Sequence, residues 1–296
     1  MKIAFIGLGN MGLPMAVNLA KKFDVIGFDL SERALSAAAA QGIHCTASIA
    51  SAVNGASTVI TMLPDGKSVK SALNEIVETV EQETLIVDCS TIDIATARKA
   101  HDNMEKRGLQ MVDAPVSGGT AGAAAATLTF MCGGEPSAIE RARPLLESMG
   151  KRIVPCGPAG AGQAAKMCNN MILGVSMIAV CEAFTLADKV GLDRQAVFDV
   201  VSTSSGSCWS MNTYCPVPGV GPKSPADNDY KPGFAAALML KDLTLSQDAA
   251  QAANAVTPLG AHAQSLYKSF VEQGHGAEDF SAIIKALAAM KREQAA

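Results

Sequence analysis

The sequence predicts an α/β amino-terminal domain with a mainly parallel sheet, an all-α carboxy-terminal domain, and one long helix joining them. Three observations carry this. The first half alternates short β-branched runs with amphipathic stretches, the rhythm of βαβ units. After Gly162 helical periodicity continues almost without strand-like alternation as far as Met290, broken by one Pro/Gly-rich stretch at 215–233. The run 163–190 is too long and too apolar for an ordinary surface helix and suits a central helix packed between the domains. The boundary therefore falls near Gly160, giving domains 1–162 and 163–296.

In chain order, the strand candidates are 3–6, 24–28, 58–62, 84–88, 110–113 and 128–132. Between them, 14–23, 31–41 and 93–107 carry the Ala, Leu, Glu and Lys of crossover helices. The alanine-rich stretches 37–40 and 123–126 are helix-favouring or tightly packed segments rather than low-complexity tails, and no internal repeat is present.

A chain of 296 residues has room for two buried cores. A net charge of −4 with interspersed lysines and arginines offers no basic face, which argues against nucleic acid as a partner. The eight cysteines lack the close pairs of a zinc site or redox dithiol, and they read as reduced thiols of a cytoplasmic protein. The amino terminus lacks the charged and apolar regions of a secretory signal. The longest uncharged apolar run, 167–181, is interrupted by Asn169 and Asn170 and is shorter than the ~20 residues that span a bilayer. A buried helix is expected there, not a membrane segment.

IAFIGLGNMG places Gly7, Gly9 and Gly12 after an apolar strand and before a helix, the GxGxxG pattern of a Rossmann-type dinucleotide site in its proper context. Gly7 allows the tight turn, Gly9 lets backbone approach a pyrophosphate, and Gly12 packs helix on strand. Amides at the helix start, around Asn10 and Met11, hold phosphate oxygens. Asp29 ends the second strand about 20 residues later, where a carboxylate accepts from ribose hydroxyls. That favours NAD. A 2′-phosphate would meet like charge there, although Arg33 leaves NADP open as the lesser alternative. The plain alternatives are a glycine turn and a strand-end cap.

Four motifs in order, GLGNMGLPMAVNL at 7–19, DAPVSGG at 113–119, GxGQAAKMCNN at 160–170 and KDLTLS at 241–246, resemble the β-hydroxyacid dehydrogenases nearly end to end. SSGSCWSMNTYCPVPGV and the terminal DFSAII segment resemble the members acting on 3-hydroxyisobutyrate. That resemblance implies NAD-dependent oxidation to methylmalonate semialdehyde in valine breakdown. Other members reduce tartronate semialdehyde or oxidise serine-like acids.

Oxidising an alcohol by hydride transfer needs a group that takes the hydroxyl proton. Lys166 heads the long apolar helix, where burial and a nearby cationic nicotinamide both favour the neutral amine. Asn170, at i+4 on the same face, orients the substrate hydroxyl or carboxylate, with Asn169 the lesser candidate. Without the resemblance, a lysine at a helix head is usually a snorkelling surface charge. The resemblance implies the catalytic acid/base for Lys166 and substrate contact for Asn170.

Ser117, Gly118 and Gly119 follow a strand candidate and leave backbone amides and one hydroxyl able to ligate a substrate carboxylate, or else form a structural turn. Lys241 and Asp242 read by themselves as an ordinary helical ion pair. The resemblance sends Lys241 to cofactor or substrate and gives Asp242 a supporting role. It also implies NAD contacts from Leu63, Pro64, Ser68 and Thr91, although Ser90, Thr91 and Asp93 serve equally as the start of a helix. Trp209 and Phe234, with Tyr214, suit an apolar substrate wall or simple core packing. The histidines at 44, 101, 262 and 275 lie outside every motif and are expected at the surface. No metal is implied. A homo-oligomer, dimer or tetramer, is expected through the helical domain, with the substrate site at the domain interface. A non-catalytic dinucleotide sensor is the rival from another class, since it would need neither Lys166 nor Asn170.

Overall fold

The apolar runs of the first half fold as strands of one nine-stranded sheet. The computed structural model describes residues 1–290; residues 291–296 of the expected helical domain lie outside the described residues. It divides into two units, Met1–Lys166 and Met167–Ala296.

In the first unit the order is β1 (Lys2–Ile6), α1 (Gly12–Ala20), β2 (Asp24–Phe28), α2 (Glu32–Ala40), β3 (His44–Cys45), α3 (Ile49–Val53), β4 (Thr58–Thr61), α4 (Gly66–Ile76), β5 (Leu85–Asp88), α5 (Ile94–Glu105), β6 (Gln110–Asp113), β7 (Val116–Ser117), α6 (Gly119–Ala124), β8 (Leu128–Gly134), α7 (Pro136–Leu146) and β9 (Gly150–Gly157). The sheet runs β3-β2-β1-β4-β5-β6-β8-β7, with β9 on β8. β3 to β6 pair in parallel, and β8 runs antiparallel to β6 and β7. Interior strands such as β4 and β5 are buried at every residue, as a sheet covered on both faces requires. Side chains from one face gather around Phe5, Met15 and Phe130, and those from the other around Ile6, Val59 and Ile86. The crossover helices begin on side-chain caps: Ser31, Ser48, Asp65 and Asp93 each accept from the amide three residues on.

All six expected strands are present, but the short β3 and β7 and the longer β9 were not anticipated. β9 reads as a loop because Lys151, Arg152 and Pro155 interrupt its apolar residues. It pairs only with β8, so one side of the strand is an edge where proline and charge are tolerated.

α8 (Ala161–Val190) is a helix of 30 residues, longer than its apolar run. By length and composition it is long enough to cross a membrane, where the uncharged run 167–181 alone had read as too short. Buried Gln163, Lys166 and Asn170 on it, and the presence of Met177 and Phe184 in packed clusters, mark it as a core helix. The second unit continues with α9 (Arg194–Val201), α10 (Trp209–Asn212), α11 (Ala236–Ala252), α12 (Pro258–Phe270) and α13 (Ile283–Ala289). Among its described residues there is no strand, only an isolated bridge between Ala235 and Asp279. Its larger cluster packs Met239, Leu243, Tyr267, Phe270 and Phe280.

Candidate active site

Strand order reverses between β1 and β4, the position at which open α/β sheets bind ligands beyond their carboxyl ends. The turn after β1 assigns different duties to its glycines. A Cβ on Gly7 would lie 2.3 Å from the Met62 carbonyl oxygen, and one on Gly12 1.9 Å from that of Gly7, whereas one on Gly9 would meet nothing within 4 Å. Gly7 and Gly12 are therefore required by the fold itself. Gly9 leaves exposed backbone over which a diphosphate can lie. Exposed Asn10 and half-buried Met11 follow at the start of α1, which no side chain caps.

Asp29 accepts from the Leu8 amide through Oδ2 at 2.7 Å and from the Ser31 amide through Oδ1 at 2.8 Å. It does brace the glycine turn, and each oxygen keeps a second lone pair for a ribose hydroxyl. After β4, the Leu63 amide donates to Ser90 Oγ at 2.8 Å, with exposed Pro64 next in line. Asp65 takes the Ser68 amide as the α4 cap, and Asp93 takes that of Thr96 as the α5 cap. Half-buried Thr91 sits between buried Ser90 and Ile92. Asp88 Oδ1 accepts from Thr61 Oγ1 and the Ser90 amide, while buried Oδ2 has no hydrogen-bond partner. Burial pushes this carboxyl up to about 6, opposed by the hydrogen bonds from Ser90 and Thr61 and aided by the Asp113 charge.

β7 ends in Ser117, followed by Gly118 and Gly119 with φ of 134° and 62°, values that suit glycine. Lys166 is only 7% exposed, so the snorkelling alternative does not hold, and its Nζ donates to the Val116 carbonyl at 2.8 Å. The amine is thus tethered one residue from Ser117. The start of its helix is held by groups that the sequence reading did not assign. Fully buried Asp113 accepts from the Gly160 amide (2.8 Å) and the Gln163 amide (3.0 Å), and His101 Nε2 lies 2.9 Å from it. His101, with an 11% exposed side chain, is therefore not the surface residue expected: a buried carboxylate captures it. The Asp that opens DAPVSGG and the Gln of GQAAK were available as signals.

In the second unit, Asn170 is 1% exposed and donates through Nδ2 to Asp242 Oδ2, while Asn169 Nδ2 donates to Asn170 Oδ1 at 2.8 Å. Asp242 thereby orients the asparagine. Its Oδ1 accepts no hydrogen bond but lies 3.8 Å from Lys241 Nζ, so the pair is partly buried rather than a solvated surface pair. Trp209, half exposed, stacks on Tyr214 at 4.8 Å between ring centroids, Tyr214 stacks on Phe280 at 5.3 Å, and Phe234 meets Phe280 edge-on at 5.7 Å. Asp279, unassigned from sequence, accepts from Tyr214 Oη and the Gly233 and Phe234 amides. Burial and this carboxylate raise the Tyr214 hydroxyl's pKa, keeping it a donor.

A glycine turn at the sheet's switch point with a carboxylate behind it defines a Rossmann-type dinucleotide-binding protein. Residues 2–157 match the family model described as the NAD binding domain of 6-phosphogluconate dehydrogenase, and residues 160–287 match NAD-binding of NADP-dependent 3-hydroxyisobutyrate dehydrogenase. A relative from Mycobacterium tuberculosis, a probable 3-hydroxyisobutyrate dehydrogenase, is 51% identical over 97% of this chain and 98% of its own. The NAD-dependent L-serine dehydrogenase of Pseudomonas aeruginosa is 47% identical over 96% of this chain and 97% of its own. The solved structure of M. tuberculosis 3-hydroxyisobutyrate dehydrogenase with L-serine superposes with a TM-score of 0.93 at 51% identity, covering 97% of this chain and 99% of that one. The chain belongs to the 3-hydroxyisobutyrate dehydrogenase family and is an NAD-dependent hydroxyacid dehydrogenase.

Proposed function

We propose that the chain oxidises the hydroxyl of 3-hydroxyisobutyrate to methylmalonate semialdehyde, a step of valine degradation, with Lys166 as the acid/base. The observation that carries this is a buried amine tethered to Val116, one residue before the Ser117-Gly118-Gly119 turn. Gly9, Asn10, Met11, Asp29, Leu63, Pro64, Ser68, Thr91 and Lys241 are the residues that would hold NAD, and the open backbone at Gly9 fits its diphosphate. When bound, NAD supplies the two-electron acceptor.

Ser117, Gly118 and Gly119 ligate the substrate carboxylate through one hydroxyl and backbone amides. Lys166 in its neutral form takes the hydroxyl proton as the carbonyl forms, and its hydrogen bond to Val116 fixes the direction from which it does so. Asn170, oriented by Asp242, presents its amide to the substrate oxygen. Trp209 and Phe234 offer an apolar wall for the methyl group.

L-Serine is the second reading, favoured by the serine dehydrogenase of P. aeruginosa and by the L-serine named with the M. tuberculosis structure. Initial rates of NADH formation on 3-hydroxyisobutyrate, L-serine, glycerate and 3-hydroxypropionate decide between them. A higher kcat/KM for 3-hydroxyisobutyrate is expected, a preference for L-serine would replace the substrate, and inactivity on all four would overturn the reading. The same reading includes a homo-oligomer, since apolar Ile172, Leu186, Val190 and Val200 of the second unit are each more than 60% exposed. A monomer mass by light scattering would contradict it.

A further inference from the structure

Gln163 lies one helical turn before Lys166 on α8, on the same face, and its side chain is fully buried. Its carboxamide clasps a turn 71 residues away: Nε2 donates to the Ser90 carbonyl at 2.8 Å and Oε1 accepts from the Ile92 amide at 3.1 Å. The two bonds bracket Thr91. The same turn is tied forward by Ser90 Oγ, which accepts from Leu63, and backward by Asp88, which accepts the Ser90 amide. One amide side chain therefore joins the helix that carries the proton-transfer lysine to the two turns, at Leu63 and at Thr91, on the cofactor side of the sheet.

The backbone of Gln163 is held as firmly. Its amide and that of Gly160 both donate to Asp113. A Cβ on Gly162 would lie 2.2 Å from the Met131 carbonyl oxygen of β8 and 2.6 Å from that of Asp113 at the end of β6, so the helix start rests directly on the sheet. Rotation or sliding of this first turn would break the amide clasp and displace Lys166 from Val116 together.

We propose that Gln163 is a positioning residue for the proton transfer, setting the height and rotation of Lys166 relative to the Thr91 turn; this rests on Lys166 being the acid/base. A misplacement of about 1 Å at a reacting group costs on the order of a hundred-fold in rate. The Thr91 turn keeps its ties to Leu63 and Asp88 without the clasp, so loss of the clasp is read in kcat more than in cofactor affinity.

The test compares Gln163→Met, which keeps volume without polar atoms, with Gln163→Glu, which keeps shape. As a carboxylate the second variant loses the donor to Ser90; as a neutral acid it regains one, so its activity relative to wild type must rise as pH falls. Both are assayed with 3-hydroxyisobutyrate and, in a parallel arm, L-serine, alongside NADH binding by fluorescence and thermal unfolding. The expected result is a fall in kcat of about ten- to a hundred-fold with NADH affinity within about three-fold, and partial acid rescue of Gln163→Glu alone. Wild-type kcat in either folded variant overturns the proposal. So does a Gln163→Glu loss that acid does not relieve, because a merely structural glutamine predicts no such rescue. If Gln163→Met fails to fold, the pH profile of Gln163→Glu decides. Lys166→Met separates the two levels: unchanged kcat there removes the acid/base reading, whereas loss there with active Gln163 variants removes only the positioning role.

Discussion

The two units hold their site residues by different means. In the first, the glycine turn, Leu63, Thr91 and Ser117 all follow or end strands of one sheet, so backbone pairing fixes the strand ends and the side chains of Asp29, Ser90 and Gln163 only tie the turns that follow. The second has no strand among its described residues, and the side chains of its candidate site are held by buried carboxylates: Asp242 aims Asn170, and Asp279 gathers the Tyr214 hydroxyl with the Gly233 and Phe234 amides. Positions held by backbone tolerate substitution of their neighbours. Positions held by one side chain depend on that side chain.

The sharpest way to break this contrast is at Asp279, which is fully buried and accepts five hydrogen bonds, the remaining two from the amide and hydroxyl of Ser281. Asp279→Ala leaves those donors, two buried and three part-buried, without an acceptor, a loss of about 4 kcal/mol by urea unfolding. Ser117→Ala, at a backbone-held position in the first unit, should stay within about 0.5 kcal/mol of wild type. Equal losses would show that the two units are not held differently.

The same contrast explains what was legible in the sequence. The glycine turn could be read because its glycines recur at a fixed local spacing between an apolar strand and a helix, although the contact that demands Gly7 comes from distant Met62, and the parallel strands because double burial writes β-branched runs into them. That Lys166 and Asn170 stand on one helix four residues apart could be read from helical spacing, and both are buried there. The hubs could not: Asp113 meets Gln163 across 50 residues and Asp279 meets Tyr214 across 65, and no local period marks such a pair. His101 was misplaced for the same reason, since its partner stands 12 residues away on another element. β9 escaped because an edge strand need not be apolar.

Asp29 is a side chain of the first unit on which the glycine turn leans and to which the proposed NAD site assigns the ribose. Asp29→Ala should lower kcat/KM for NAD relative to NADP by about ten-fold, because it removes both the ribose acceptor and the charge that opposes a 2′-phosphate. An unchanged ratio would leave Asp29 as a brace alone. An equal loss with both cofactors would point to damage to the turn.

The smallest effect expected is at Asp88, which with Asp242 is one of two buried carboxylates among the described residues that carry an oxygen without a hydrogen bond; only the Asp242 oxygen has a described lysine within ion-pair distance. Its carboxyl is raised from the ordinary 3.8 to about 6 in the folded protein, chiefly by burial. Above about pH 6 the fold carries the whole penalty of a buried charge. As pH falls from 6 towards 4 the folded protein takes up a proton that the unfolded chain does not, so this group's contribution becomes more favourable by up to about 3 kcal/mol. Asp88→Asn keeps an acceptor for Thr61 and Ser90 and removes the charge, but its amide inherits the unpartnered position, leaving a net gain of about 1 kcal/mol above pH 7. That advantage should vanish near pH 5 and reverse below it, as the wild-type carboxyl becomes protonated. Parallel stability curves for the two proteins between pH 4 and 8 would mean that Asp88 stays ionised throughout, held by Thr61 and Ser90 more firmly than its burial opposes.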